Sequence, residues 1–263
     1  MPICRLCKSE GKPLVKSHII PRSLFKLIAK GGPYSVYFKA QKSGVTTDYK
    51  QAGIYDDEIL CKDCEARFSE LDKHGNQVLS RPRGEADVYR DPQGVACGFI
   101  LRDLKYELFK RFLLAVLWRA SVSSHEFFRR VDLGCHEDRI LNILLNDKAI
   151  SAETYSSILI HPIGQRYPGT ILPPWTHRLD GVRFYRLYFP DVIALIKVDQ
   201  RRTPEWLSRV QLQSSGDNYM IFLPYRGLQE EKFFANMKKF IHAHELAASK
   251  PRKSASHRKK TRA

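Results

Sequence analysis

Cys4-Arg5-Leu6-Cys7, near the start of the chain, and Cys61-Lys62-Asp63-Cys64, after 53 intervening residues, decide how the first third of this sequence is read. Two Cys-x-x-Cys pairs offer four thiolates, and each two-residue spacer lets its sulfurs turn toward one tetrahedral ion. The expectation is a single structural Zn²⁺ held by Cys4, Cys7, Cys61 and Cys64. Two independent redox pairs are the competing reading, but neither pair stands in a thioredoxin-like strand–turn–helix context. Cys97 and Cys135 are solitary and read as free thiols. The tight pairing of the other four, and a Met1-Pro2-Ile3 start without the charged-then-apolar layout of a secretory signal, point to a reducing cytoplasm.

Between the pairs, Ser17-His18-Ile19-Ile20-Pro21 reads as extended, because the residue before a proline is steered away from the helical region. Pro21 suits the first turn of a helix carrying Leu24, Phe25, Leu27 and Ile28, ended by Gly31-Gly32. Short strands are predicted at Tyr34–Phe38 and Ile54–Tyr55, and a helix from Lys62 to His74 with Gly75 as its stop. Turn formers between residues 75 and 100 mark a boundary, dividing the chain into a zinc module over 1–80, an α+β domain over 95–248 and a basic tail over 249–263.

In the second part, Asp103 is a candidate cap for a long helix in which Leu104, Leu108, Phe112, Ala115 and Arg119 recur every three or four positions. A shorter helix with Ile140, Ile143 and Leu144 follows. Strands are then predicted at Tyr155–Ile160, Val182–Phe189, Val192–Val198 and Tyr219–Leu223, with Pro190-Asp191 as a hairpin connection. A helix near Glu230–Ala248 closes the pattern, which describes an antiparallel sheet packed on helices. The longest strongly apolar run, Phe112–Trp118, falls far short of the roughly 20 residues that span a bilayer, so no membrane segment is expected.

With 44 basic and 28 acidic residues the formal charge is +16. Lys250, Arg252, Lys253, Arg258, Lys259, Lys260 and Arg262 give the tail +7 without a single acid, so the tail should be disordered when alone and the rest of the chain is still basic. Such a field concentrates polyanions, nucleic acid above all, through counterion release and steering. A merely solubilising surface or an anionic membrane is the bland alternative. Arg129-Arg130, Arg201-Arg202 and Lys238-Lys239 are candidate phosphate contacts, although charge pairs on solvated faces are commoner.

Taken together, the two cysteine pairs, Ser17-His18-Ile19-Ile20-Pro21 and Asp56 to Glu65 resemble the zinc-bearing HNH endonucleases. In those enzymes one Cys-x-x-Cys precedes an Asp/His-His-Ile-x-Pro segment, and a second follows an Asn-Leu-x-x-Leu stretch. The resemblance covers about residues 1–75 and implies an α+β protein that begins with a ββα-metal-like zinc module. It further implies a divalent-metal-dependent endonuclease acting on DNA, with a bacterial antiphage defence role. His18 matches the family's water-activating histidine, Asp56 its Asn and Glu65 its last His, while Ser17 departs from the usual Asp or His ligand.

The chemistry of that set is coherent. Phosphodiester hydrolysis needs a base, which neutral His18 can supply, and a divalent ion on the phosphate. Oxygens of Asp56 and Glu65 suit Mg²⁺ or Mn²⁺, with water or Asp57 standing in for Ser17. The alternative is a non-catalytic zinc protein that binds nucleic acid or docks a partner protein. In it His18 is a hydrogen-bonded structural residue and the acids only complement a helix N-terminus.

Overall fold

The structure, a computed structural model, describes residues 2–28, 35–41, 44–50, 53–146, 148–164 and 171–224. The helix expected near Glu230–Ala248, the basic tail and the Gly31-Gly32 stop lie outside the described residues.

Of the Ser17–Pro21 stretch expected to be extended, Ser17 and His18 end β1 (Leu14–His18), whereas Ile19 and Ile20 form a bend before Pro21 leads into α1 (Arg22–Ile28). A hairpin of β2 (Ser35–Gln41) and β3 (Gly44–Lys50) follows, then β4 (Tyr55–Cys61), which returns antiparallel to β1. Leu14 faces Cys61, Ser17 faces Asp56 and His18 faces Tyr55, with a bulge between Val15 and Ser17. The strand predicted at Ile54–Tyr55 therefore runs six residues further, through an acidic stretch, to the first cysteine of the second pair.

Cys61 ends β4 and α2 (Lys62–Ser80) begins at the next residue. Gly75 does not stop this helix. A β-carbon at Gly75 would lie 2.4 Å from Phe112 Cγ, so the glycine marks the place where α2 presses against α3 (Tyr106–Val122). Alanine there gains about 1 kcal/mol of helix propensity. It must also displace a fully buried ring, and overpacking of that kind costs about 1–3 kcal/mol. Gly75→Ala is therefore expected to lower the urea midpoint, and Gly75→Ala with Phe112→Leu to recover part of the loss; a midpoint at or above the parent's for the single variant contradicts this packing.

Asp103 does not cap α3 either. Its φ is +58°, Lys105 takes the cap position, and the Lys105 N–H donates to His74 Nε2 at 3.2 Å, so a side chain of α2 closes the end of α3. Within α3 every residue except Glu107, Leu108 and Ser121 is buried. An apolar helix of that kind belongs inside a core, and α3 packs against both α2 and α4 (His136–Leu145). The apolar core joins Leu24, Ile59 and Phe68 to Phe112, Leu117, Leu187 and Ala194, and is thus continuous across the 75–100 segment.

The sheet has seven strands in the order β5-β6-β11-β7-β10-β9-β8. Its strands are β5 (Val88–Arg90), β6 (Ala96–Ile100), β7 (Ser157–Ile163), β8 (Trp175–Leu179), β9 (Val182–Phe189), β10 (Val192–Lys197) and β11 (Tyr219–Pro224), with α5 (Glu205–Ser208) before the last. Every neighbouring pair is antiparallel except β11 and β7, so the sheet is mixed rather than antiparallel throughout. Pro190-Asp191 connects β9 and β10 as expected, with Asp191 at φ +57° supplying the left-handed residue the tight turn needs. Along β10 the side chains alternate between two apolar layers: Val192, Ala194 and Ile196 face the α3 core, and Ile193 and Leu195 face a second cluster with Leu172 and Leu207. Among the described residues no helix is long and apolar enough to cross a membrane.

Candidate metal centre

Residues 2–11 fold back on themselves. Ile3 bridges to Glu10, Cys4 N–H donates to Ser9 O at 3.1 Å, and Lys8, at φ +57°, donates its N–H to Cys4 O at 2.9 Å. The resulting knuckle docks on β4 through Arg5 N–H to Ile59 O, 2.8 Å, and through Leu6, which is buried. That contact carries Cys4 and Cys7 to the junction of β4 and α2, where Cys61 and Cys64 project from the last strand residue and the first helical turn. All four sulfurs lie within 4.8 Å of one another, and Cys7 Sγ is 3.9 Å from Cys61 Sγ. A tetrahedral ion with Zn–S bonds near 2.3 Å requires sulfurs roughly 3.8 Å apart. The set therefore fits one metal ion such as zinc.

Part of the surroundings favours thiolates there. The Ser9 side chain and then its backbone lower the Cys7 thiol to about 6, whereas burial pushes Cys64 up. Cys61 N–H donates to Cys4 Sγ at 3.4 Å, and the N-terminal end of α2 points its dipole at the sulfurs. Because four sulfurs occupy all four tetrahedral positions, such an ion has no open site for water and acts as a crosslink.

The three residues expected to be catalytic stand differently. His18 ends β1 on the face it shares with Lys16 and Tyr55: the His18 and Tyr55 rings are 6.2 Å apart, and Lys16 Nζ sits 3.6 Å over the Tyr55 ring. Asp56 belongs to the opposite face, where it meets buried Ser17 and is itself buried. Its Oδ1 accepts from Glu58 N–H at 2.9 Å. Its Oδ2 accepts from Ser123 Oγ at 2.7 Å, Ser124 N–H at 3.0 Å and Ser124 Oγ at 3.4 Å. This carboxylate ties the β1–β4 ribbon to the end of α3. Glu65 lies half-buried in the first turn of α2, and its Oε2 is enclosed without a hydrogen-bond partner among the described residues. The only group of metal-ligating side chains gathered among the described residues is the cysteine set, so His18, Asp56 and Glu65 are not brought together as one cluster.

A further residue acts on this region. Arg119 of α3 is completely buried, donates to Asp72 of α2 at 2.6 and 2.9 Å, and donates from Nη1 to the His18 carbonyl at 2.8 Å. Phe68 covers the guanidinium at 4.9 Å. Sequence reading places Arg119 in the periodic apolar stripe of α3 without giving it a role. A charged residue on an inward helical position is the signal that a buried acid must answer it. No known protein-family model, curated protein or solved structure matches the chain.

Proposed function

We propose that the cysteine set holds zinc in an HNH-like ββα-metal module, and that the protein is a divalent-metal-dependent endonuclease acting on DNA. One observation carries this reading: a fully buried arginine, itself anchored by Asp72, fixes the backbone of His18 at the end of the first strand. Removing a guanidinium from water costs several kcal/mol before its partners offset it. Spending a cation to hold one carbonyl is understandable where the attached imidazole must be placed accurately. His18 serves as the base that takes a proton from water, and Lys16 beside it on the same face attracts the phosphate backbone.

Glu65 Oε2, enclosed and unsatisfied, is the oxygen suited to a hard cation. Glu65 would be the residue that holds Mg²⁺ or Mn²⁺, and such an ion would supply charge to offset that on the phosphate and the leaving oxygen. Asp56 leaves the ligand set, because both its oxygens are already engaged. That same engagement favours a second reading, in which the module binds nucleic acid and does not cut it. Incubating the full chain with supercoiled plasmid and Mg²⁺ or Mn²⁺ separates them: nicked and linear products support the enzyme, and retarded but intact plasmid supports the binder.

A further inference from the structure

Away from the cysteines, α4, the Ser151–Tyr155 turn and the segment after β10 border an open cleft of about 610 Å³. Pockets that hold small ligands commonly span about 300–1,000 Å³, so this one admits a molecule of nucleotide size. Arg139, Lys197, Arg201 and Arg202 line it, against only two carboxylates, Glu153 and Asp199.

Both acids are occupied. Asp199 takes Arg201 through two bonds, at 2.8 and 2.9 Å, and also accepts the backbone N–H of Arg183 and of Arg201. Glu153 accepts from Lys197, Thr203 and Gln211, each within 3.1 Å. Arg139 and Arg202 have no carboxylate partner among the described residues, so two guanidiniums converge on one cleft with their charge unanswered.

The floor adds to the same field. Lys197 is 5% exposed, and its charge reaches a second interior amine, that of Lys110, which is fully buried and donates to Ala152 O at 3.3 Å. Burial, and next the Lys197 cation, lower Lys110 to about 7, while Glu107 and Glu153 act the other way. On the wall, buried His136 and the Tyr155 hydroxyl meet at 3.2 Å, and Tyr155 keeps a φ of +52°, a conformation that bulky side chains rarely adopt. With Lys197 paired to Glu153 and Arg201 to Asp199, the charge left unanswered at this concavity is that of Arg139 and Arg202.

We propose that this cleft binds a phosphorylated ligand of nucleotide size through a terminal phosphate or pyrophosphate group, carried by a free nucleotide or by the phosphorylated end of a strand. Arginine heads match phosphate oxygens in pairs. A concave site favours a compact group with two or more charges over the single negative charge of each internal phosphodiester.

The test is calorimetric titration of the full chain with inorganic pyrophosphate, with adenosine diphosphate, and with one short single strand bearing either a 5′-phosphate or a 5′-hydroxyl. Micromolar binding of a terminally phosphorylated probe is expected, weakened at least about tenfold in the double variant Arg139→Gln, Arg202→Gln, whose circular dichroism should match the parent because both side chains are exposed. Tighter binding of the diphosphates identifies a free nucleotide as the source, and tighter binding of the 5′-phosphorylated strand identifies a strand end. The proposal is overturned if the parent binds none of these probes, if the double variant binds them as the parent does, or if the 5′-hydroxyl strand binds as well as its phosphorylated twin and depends equally on the two arginines.

Discussion

Cys61→Ser is expected to release the metal and unfold the region around it, with rapid hydrogen exchange over the knuckle, β1, β4 and the first turn of α2. Cys61 is the residue where three elements meet. It closes the β1 pairing opposite Leu14, occupies the cap position of α2 and stands 3.9 Å from Cys7 of the knuckle. Structural zinc contributes roughly 10–16 kcal/mol in small zinc-finger peptides, comparable with the whole stability of an ordinary domain at about 5–15 kcal/mol. A lone pair of strands is marginal in water, and apart from the metal the knuckle and the β1–β4 ribbon are held by their share of the core, the Asp56 bonds to Ser123 and Ser124 and the Arg119 bond to the His18 carbonyl. Loss should not spread evenly. Phe68, Val78 and Leu79 of α2 share the core with α3, so the C-terminal turns of α2 and the β9–β10 centre should remain protected. Elemental analysis of the parent should give about one zinc per chain, as a full four-thiolate site requires. Zinc-free protein from a chelator-free preparation, or unchanged exchange in Cys61→Ser, refutes the crosslink.

The parts of this architecture that were legible in the sequence are those decided by neighbours a few residues away. Continuous apolar runs with Pro190-Asp191 between them can hardly be anything but two central strands and their turn, and the apolar face of residues 104–119 requires an interior helix. The four cysteines were legible for the same reason, since their spacing carries its own geometry. What was missed depends on distant partners. The predicted strand stops at Tyr55, yet β4 continues through Asp56-Asp57-Glu58, and Asp56 is accommodated by Ser123 and Ser124 at the far end of α3. Gly75 has the local signature of a helix stop, and only Phe112 across the interface explains it. β5, β6 and β8 carry weak patterns because they stand at or next to the edges of the sheet, and the parallel pairing of β11 with β7 is a matter of topology that no local pattern records. The candidate site divides the same way: its residues could be named from motifs, but the opposite faces that His18 and Asp56 occupy follow from the register of β1 against β4.

That register makes the last test discriminating. If His18 is the base, His18→Ala should lower metal-dependent plasmid cleavage by about 10²–10⁴-fold, the range for a positioned acid–base group, equivalent to roughly 3–5 kcal/mol on the barrier. Zinc content and DNA affinity should hold, because the Arg119 bond goes to the His18 backbone carbonyl, which alanine retains. Glu65→Gln should leave maximal cleavage reachable but at a higher Mg²⁺ or Mn²⁺ concentration, since it removes one ligand charge and no proton acceptor. Asp56→Ala should behave unlike either. It strands the Ser123 and Ser124 donors where the β1–β4 ribbon meets α3, and charged hydrogen bonds of that kind contribute about 1.5–3 kcal/mol, so its activity should fall only as its folded fraction falls, with an unaltered metal requirement. Should Asp56→Ala instead shift the metal requirement while remaining folded, the carboxylate is a ligand and its serine bonds must break during turnover. Cleavage by His18→Ala at the parent's rate moves the base elsewhere, and intact plasmid with both proteins under either ion, despite binding, leaves a zinc module that holds nucleic acid without cutting it.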